Sequence, residues 1–168
     1  MNAICIFDPL SSTNKFKISG YVEFHQCCKS DPVNVTINLS GFKPNSTHAF
    51  HIHEFADIRD CRSCGPHYNP YNKLHGNNFD DHLNHHAGDL LNNLTSDSKG
   101  NVSISFKDNL ISLFPKYQTF DTIIGRSLVL HEGTDDLGRG NNKESKITGN
   151  AGGRMACFVI GLDKPHHF

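Results

Sequence analysis

The sequence predicts an all-β fold, an antiparallel sandwich or barrel of Greek-key type, and three observations predict it. Short stretches alternate apolar and polar residues with a period of two, turn residues separate those stretches, and no segment carries a convincing helical period. Two long polar stretches, from Glu54 to about Gly88 and from Asp135 to Gly153, interrupt the pattern. The first is longer than a plain loop in a compact domain should be, so some ligand is expected to order it.

Taken in order, residues 2–8 are apolar and rich in strand formers, and Phe16, Ile18, Val22 and Phe24 alternate around Gly20. Turn material at Ser11-Ser12-Thr13-Asn14 makes these two antiparallel strands. Val33, Val35, Ile37 and Leu39 alternate strictly with Asn34, Thr36 and Asn38, the pattern of a strand with one face buried and one in water. After a turn at Lys43-Pro44-Asn45-Ser46, Ala49-Phe50-His51-Ile52-His53 reads as a strand whose two histidines share a face. Strand character returns at Asp89-Leu90-Leu91 and at Val102, Ile104 and Phe106, with a turn near Asp97-Ser98-Lys99-Gly100 between them. Ser127 to His131 and Met155 to Ile160 complete eight strands.

A chain of 168 residues fits one domain spanning 1–168. Its 16 basic and 17 acidic residues nearly cancel, so no bulk charge points to nucleic acid or to a membrane surface. The first residues lack a basic region followed by a long apolar run, and no later stretch is long enough to span a bilayer. The expectation is a soluble, cytoplasmic protein in which most of the six cysteines remain thiols. Histidine, at 12 residues, is the compositional anomaly.

Many of those histidines fall in one segment: His51-Ile52-His53, Gly65-Pro66-His67, His75, and His86-Ala87-Gly88-Asp89. Imidazole suits copper and zinc, and His67, His75, His86 and Asp89 offer three nitrogens and one carboxylate, a closed tetrahedral zinc set. His86 is preferred because it precedes Asp89 by three residues; His85 and His82 are substitutes if the loop is threaded differently. His51 and His53, with His67 and with His131 at the end of another strand, offer a copper set. A lone His-x-His pair is more often surface histidine, so the joint pattern carries this reading. Cys61 and Cys64 form a Cys-x-x-Cys pair without a second pair, which argues against a four-cysteine zinc site; a bridge from this loop to Cys157 is more attractive. Arg154, after the Gly-rich bend 149–153, offers a planar cation for a small anion.

Phe50-His51-Ile52-His53-Glu54-Phe55, Gly65-Pro66-His67-Tyr68-Asn69-Pro70, Gly88-Asp89-Leu90, Gly125-Arg126-Ser127-Leu128-Val129, His131-Glu132, Asp135-Asp136-Leu137-Gly138 and the run from Gly149 to Cys157 occur in that order. In these motifs the chain resembles the copper/zinc superoxide dismutases of the intracellular eukaryotic type over nearly its whole length. The resemblance implies an eight-stranded Greek-key barrel, copper on His51, His53, His67 and His131, and zinc on His67, His75, His86 and Asp89. It also implies a His67 bridge between the ions, Asp135 linking the two ligand sets, and a Cys61–Cys157 disulfide. Arg154 would dock superoxide, Thr148 would narrow the channel, and Lys143 and Lys146 would lie along it. The implied reaction turns superoxide into oxygen and hydrogen peroxide by alternate reduction and oxidation of copper, with His67 as ligand and acid. The implied partners are a second copy of the chain and a copper chaperone.

The sequence departs from the family in places. The spacing from His75 to His86 is longer than usual, so a bulge is expected around Asp80-Asp81-His82. Lys143 stands at a position often acidic, and Lys146-Ile147 replaces the usual Thr-Lys order, so the guiding charge is displaced. Ala56 and Phe158 stand where glycine is common, both near the expected dimer contact. Cys64 lies near the expected bridge and is positioned to exchange with Cys61, whereas Cys5, Cys27 and Cys28 read as free thiols. A competing reading, a non-enzymatic module that sequesters copper or its delivery partner, would be marked by loss of a copper ligand or of the arginine, and all are present. A copper chaperone's dismutase-like domain would need a further delivery domain, for which no motif is found.

Overall fold

Strict alternation does in three dimensions what it promises in sequence. In β3 (Val33–Ser40) the side chains of Val33, Val35, Ile37 and Leu39 are buried, while their neighbours face outward. A computed structural model describes residues 1–77, 84–115 and 122–164 of the chain. Among them β3 pairs antiparallel with β2 (Ser19–His25) and with β6 (Asn101–Asp108). With β1 (Asn2–Phe7) and the short β9 (Gly161–Leu162) these make a five-stranded sheet in the order β6-β3-β2-β1-β9. The second sheet has the order β5-β4-β7-β8, from β4 (Thr47–His53), β5 (Asn93–Thr95), β7 (Ser127–His131) and β8 (Arg154–Val159).

The chain leaves the first sheet after β3, enters the second at β4, and returns at β6 to lie beside β3, which is the Greek-key crossover expected. The inner faces of the two sheets share one apolar core, where Phe7 of β1 meets Phe50 of β4 at 6.3 Å and Phe158 of β8 at 4.7 Å between ring centroids. Phe158 is thus a core residue.

Three local expectations are corrected. Residues 87–89 form a single 3-10 turn in place of a strand, and the neighbouring strand is Asn93–Thr95. The turn is tight because Gly88 lies on Ile52 and Tyr68: a Cβ at Gly88 would collide with the Ile52 carbonyl. The last strand breaks at Ile160 and changes sheets, β8 pairing with β7 and β9 with β1. One helical turn, α1 (Ser145–Thr148), lies in the second polar loop and closes on Gly149, whose φ of 65° suits a left-handed cap. The bulge expected at Asp80-Asp81-His82 lies outside the described residues. No helix among the described residues is long and apolar enough to cross a membrane.

Candidate metal centre

His51 and His53 belong to β4, opposite Val129 and Ser127 of β7, and both are fully buried. The pairing of β7 with β8 slips between Leu130 and His131, and such a slip re-aims the side chain that follows it. His131 thereby joins the β4 histidines: its Nε2 lies 3.3 Å from His53 Nε2. An isolated bridge between His53 and His67 brings the first polar loop onto the same strand. One ligand atom from each of His51, His53, His67 and His131 then lies within 4.8 Å of the others.

The outer hydrogen bonds fix which nitrogen faces inward. His51 Nε2–H donates to Asp135 Oδ2 at 2.7 Å, His53 Nδ1–H to the Gly65 carbonyl at 2.9 Å, and His131 Nδ1–H to the Gly152 carbonyl at 3.4 Å. Each ring is left with a lone pair on the other nitrogen, the arrangement that metal-binding imidazoles need. His51 Nδ1 and His67 Nε2 are buried with no hydrogen-bond partner among the described residues. A copper ion is the partner that this donor set fits.

A second set lies on the far side of His67. Its Nδ1 stands 2.9 Å from Asp89 Oδ1, and on the same oxygen converge His75 Nδ1 at 3.0 Å and His86 Nδ1 at 3.2 Å. His86 Nδ1 lies 3.4 Å from His67 Nδ1. Tetrahedral ligands bound at ~2.0–2.2 Å stand roughly 3.3 Å apart, so three nitrogens and one oxygen at these separations suit zinc. Backbone amides of Gly76 and His86 hold the other carboxylate oxygen of Asp89. His85 turns its Nδ1 to the carbonyl of His86, and of the two neighbours His86 joins the set.

Asp135 ties the two sets together. Its Oδ2 takes His51 Nε2–H, its Oδ1 takes His75 Nε2–H at 2.9 Å, and Asn92 Nδ2 donates to Oδ2 at 3.1 Å. Gly149 closes over this link, where a Cβ would strike both Asp135 Oδ1 and His75 Nε2. Sequence reasoning missed Asn92, which is buried, adopts a positive φ of 60° and also donates to the Gly76 carbonyl. Its only signal is an asparagine just beyond Asp89, the type that tolerates left-handed backbone.

The electrostatics follow from burial and pairing. Burial, then the charges of His67, Arg154 and His131, holds His53 well below the usual histidine range. Burial with neighbouring imidazoles pushes His67 down to about 3 and His131 down to about 2. Burial works against charge on His75, yet its bonds to Asp135 and Asp89 lift it to about 9. Burial likewise works against charge on Asp89 and Asp135, and their histidine partners still hold both carboxyls below the ordinary range.

A cavity of about 340 Å³ opens onto His53, His67 and His131, with Thr148 and Arg154 in its wall. Arg154 is fixed by three carbonyls: Nη1 donates to Cys61 at 2.7 Å and to Arg62 at 3.1 Å, and Nη2 to Gly65 at 2.6 Å. The Cys61–Cys157 disulfide, with 5.5 Å between Cα atoms, anchors that loop to β8. Lys143 and Lys146 are not in the wall of this cavity; the Lys146 ammonium donates to the Gly138 carbonyl, and the wall carries Glu144, which the sequence reading did not single out.

The sequence model of the copper/zinc superoxide dismutase family matches residues 18–160. The chain is similar to a copper–zinc superoxide dismutase 1 of Debaryomyces hansenii, with 48% identity over 88% of this chain and 92% of that one. It is similar to a copper–zinc superoxide dismutase of Humicola lutea, with 48% identity over 87% and 92% of the two chains. A copper–zinc superoxide dismutase of Saccharomyces cerevisiae shares 46% identity over 86% of this chain and 90% of its own. Two histidine sets meeting at one imidazole, on a Greek-key scaffold matched over most of its length, place the chain in the copper/zinc superoxide dismutase family.

Proposed function

We propose that this chain converts superoxide to oxygen and hydrogen peroxide with copper held by His51, His53, His67 and His131, and zinc held by His67, His75, His86 and Asp89. The observation that carries the assignment is His67, whose two nitrogens face the two sets: Nδ1 towards Asp89, and Nε2 buried with no partner among the described residues. When bound, copper would supply the one-electron redox chemistry, and zinc on His67, His75, His86 and Asp89 would steady the His67 ring. Arg154, anchored by the carbonyls of Cys61, Arg62 and Gly65, draws in and orients the anion, while Thr148 narrows the approach. When not bound to copper, His67 Nε2 would be the atom that holds a proton and hands it to the departing peroxide, whose second proton would come from water. Asp135 keeps His51 and His75 in the tautomers that both sets need.

A homodimer goes with this reading. Phe55 is 54% exposed beside a shallow cavity lined by Glu54, Ala56, Ile124, Gly125 and Arg126, an apolar rim that a second copy would cover. Buried copper ligands suit delivery by a chaperone, and four unpaired cysteines suit a reducing, cytoplasmic setting.

The test is a dismutation assay on the metal-loaded protein beside His131→Ala and Arg154→Ala. Activity well above that of free copper, lost without His131 and strongly reduced without Arg154, supports the assignment. A parent protein that holds copper and turns over no faster than free copper defeats it.

A further inference from the structure

Arg154 stands between two cavities. One is the histidine-lined cavity; the other, of about 530 Å³, is lined by Lys15, Arg59 and Arg62 together with Asp60 and Glu132. The loop between β1 and β2 builds one wall of the second. Asn14, buried, bonds to the backbone of Asp8 and Ile18 and forms a bridge to Ala156, and the Lys15 amide donates to the Met155 carbonyl at 3.0 Å. Lys15 is therefore held beside the strand that carries Arg154. On the other flank, the Arg62 carbonyl accepts directly from the Arg154 guanidinium.

The charges of this cavity are unequal in effect. Arg59 is chelated by Asp57 through bonds of 2.9 and 2.7 Å, so its charge is largely cancelled. Asp60, Glu132 and, across Arg154, Glu144 are three carboxylates near one docking cation. Lys15 and Arg62 are exposed, and Lys15 forms no ion pair among the described residues. They offset Asp60 and Glu132; without them the docking arginine would sit in a negative field that repels a small anion. A cavity of this volume is roughly 10 Å across, close to one screening length at physiological salt, so the offset reaches Arg154.

We propose that Lys15 and Arg62, which line the second cavity beside Arg154, are the substrate-guiding cations of this chain, whereas Lys143 and Lys146 line neither cavity. This rests on the dismutase reading. Lys15→Glu with Arg62→Glu, and the milder Lys15→Gln with Arg62→Gln, are compared with Lys143→Glu plus Lys146→Glu at matched copper and zinc content and melting temperature. At an ionic strength of ~10 mM the Lys15/Arg62 reversal is expected to lower the second-order rate with superoxide at least about fivefold, the neutral pair about twofold, and the curves should converge near ~0.5 M. Azide, a monoanion titrated against the copper absorption at low salt, should bind several-fold more weakly to the same variants. A Lys15/Arg62 reversal within twofold of the parent in rate and in azide affinity overturns the proposal, as does an equal or larger loss from the Lys143/Lys146 reversal. If the parent holds both metals and is inactive, the dismutase reading fails, and the azide titration still decides the guiding role.

Discussion

His51 and Asp135, separated by 84 positions in sequence, meet at 2.7 Å with both side chains fully buried. Because Asp135 also takes His75 Nε2–H, one carboxylate sets the ring orientation in both ligand sets. Asp135→Asn keeps the shape but places an amide where two N–H donors need acceptors, so the His75 tautomer is lost. Zinc affinity should fall by about 10–100-fold, with a smaller loss of copper, as read by competition with a chelator of known affinity. Unchanged zinc affinity would show that the His51–Asp135–His75 link is dispensable.

Among the described residues, His67 is the one common to the two sets. In the parent protein, adding zinc to the copper-loaded, zinc-free form should change the copper electron paramagnetic resonance spectrum, because the ring between them changes protonation. His67→Ala should bind copper with its three remaining ligands and show no such response to zinc. A response that survives the substitution would place the coupling elsewhere.

The metal-free protein should be most stable near pH 6.5. His67 and His131 fold in the neutral form, lowered to about 3 and about 2 from an ordinary 6.5, so their contribution is present above 6.5 and is lost as pH falls towards 3. His75 is raised to about 9, so its contribution is full below 6.5 and is lost as pH rises from 6.5 to 9. Urea midpoints of metal-free protein from pH 4 to pH 9 should pass through a maximum. A midpoint that climbs steadily to pH 9 would contradict the charge assigned to His75.

The disulfide closes a long loop, with Cys61 and Cys157 separated by 96 positions. Cys157→Ser should destabilise the metal-free protein by about 2–4 kcal/mol, measured by urea unfolding. Because the Cys61 carbonyl also holds Arg154, the fully metallated variant should lose activity as well as stability. Full activity at matched metal content would separate the arginine from the bridge.

How much of this was legible depends on whether a contact is local. His51 and His53 alternate on a strand, and His86 lies three residues from Asp89, so both relations could be read along the chain. The eight-strand reading held in outline because alternation reports burial, as β3 shows. Asp89-Leu90-Leu91 was misread since the close contact of Gly88 with Ile52, absent from any local pattern, forces a turn there. The fall of Lys146 onto Gly138 and the entry of Lys15 beside Arg154 depend on how two loops fold back, and no periodicity encodes either. The motif match supplied Asp135 as a link; its bond to His51 belongs to tertiary structure.

The central claim is a two-metal centre that shares the His67 ring. Anomalous diffraction from the metal-loaded protein, recorded at the copper and zinc edges, tests it directly. Copper scattering should lie among His51 Nδ1, His53 Nε2, His67 Nε2 and His131 Nε2, with zinc among His67 Nδ1, His75 Nδ1, His86 Nδ1 and Asp89 Oδ1. Both metals at one position, or a metal away from His67, would contradict it.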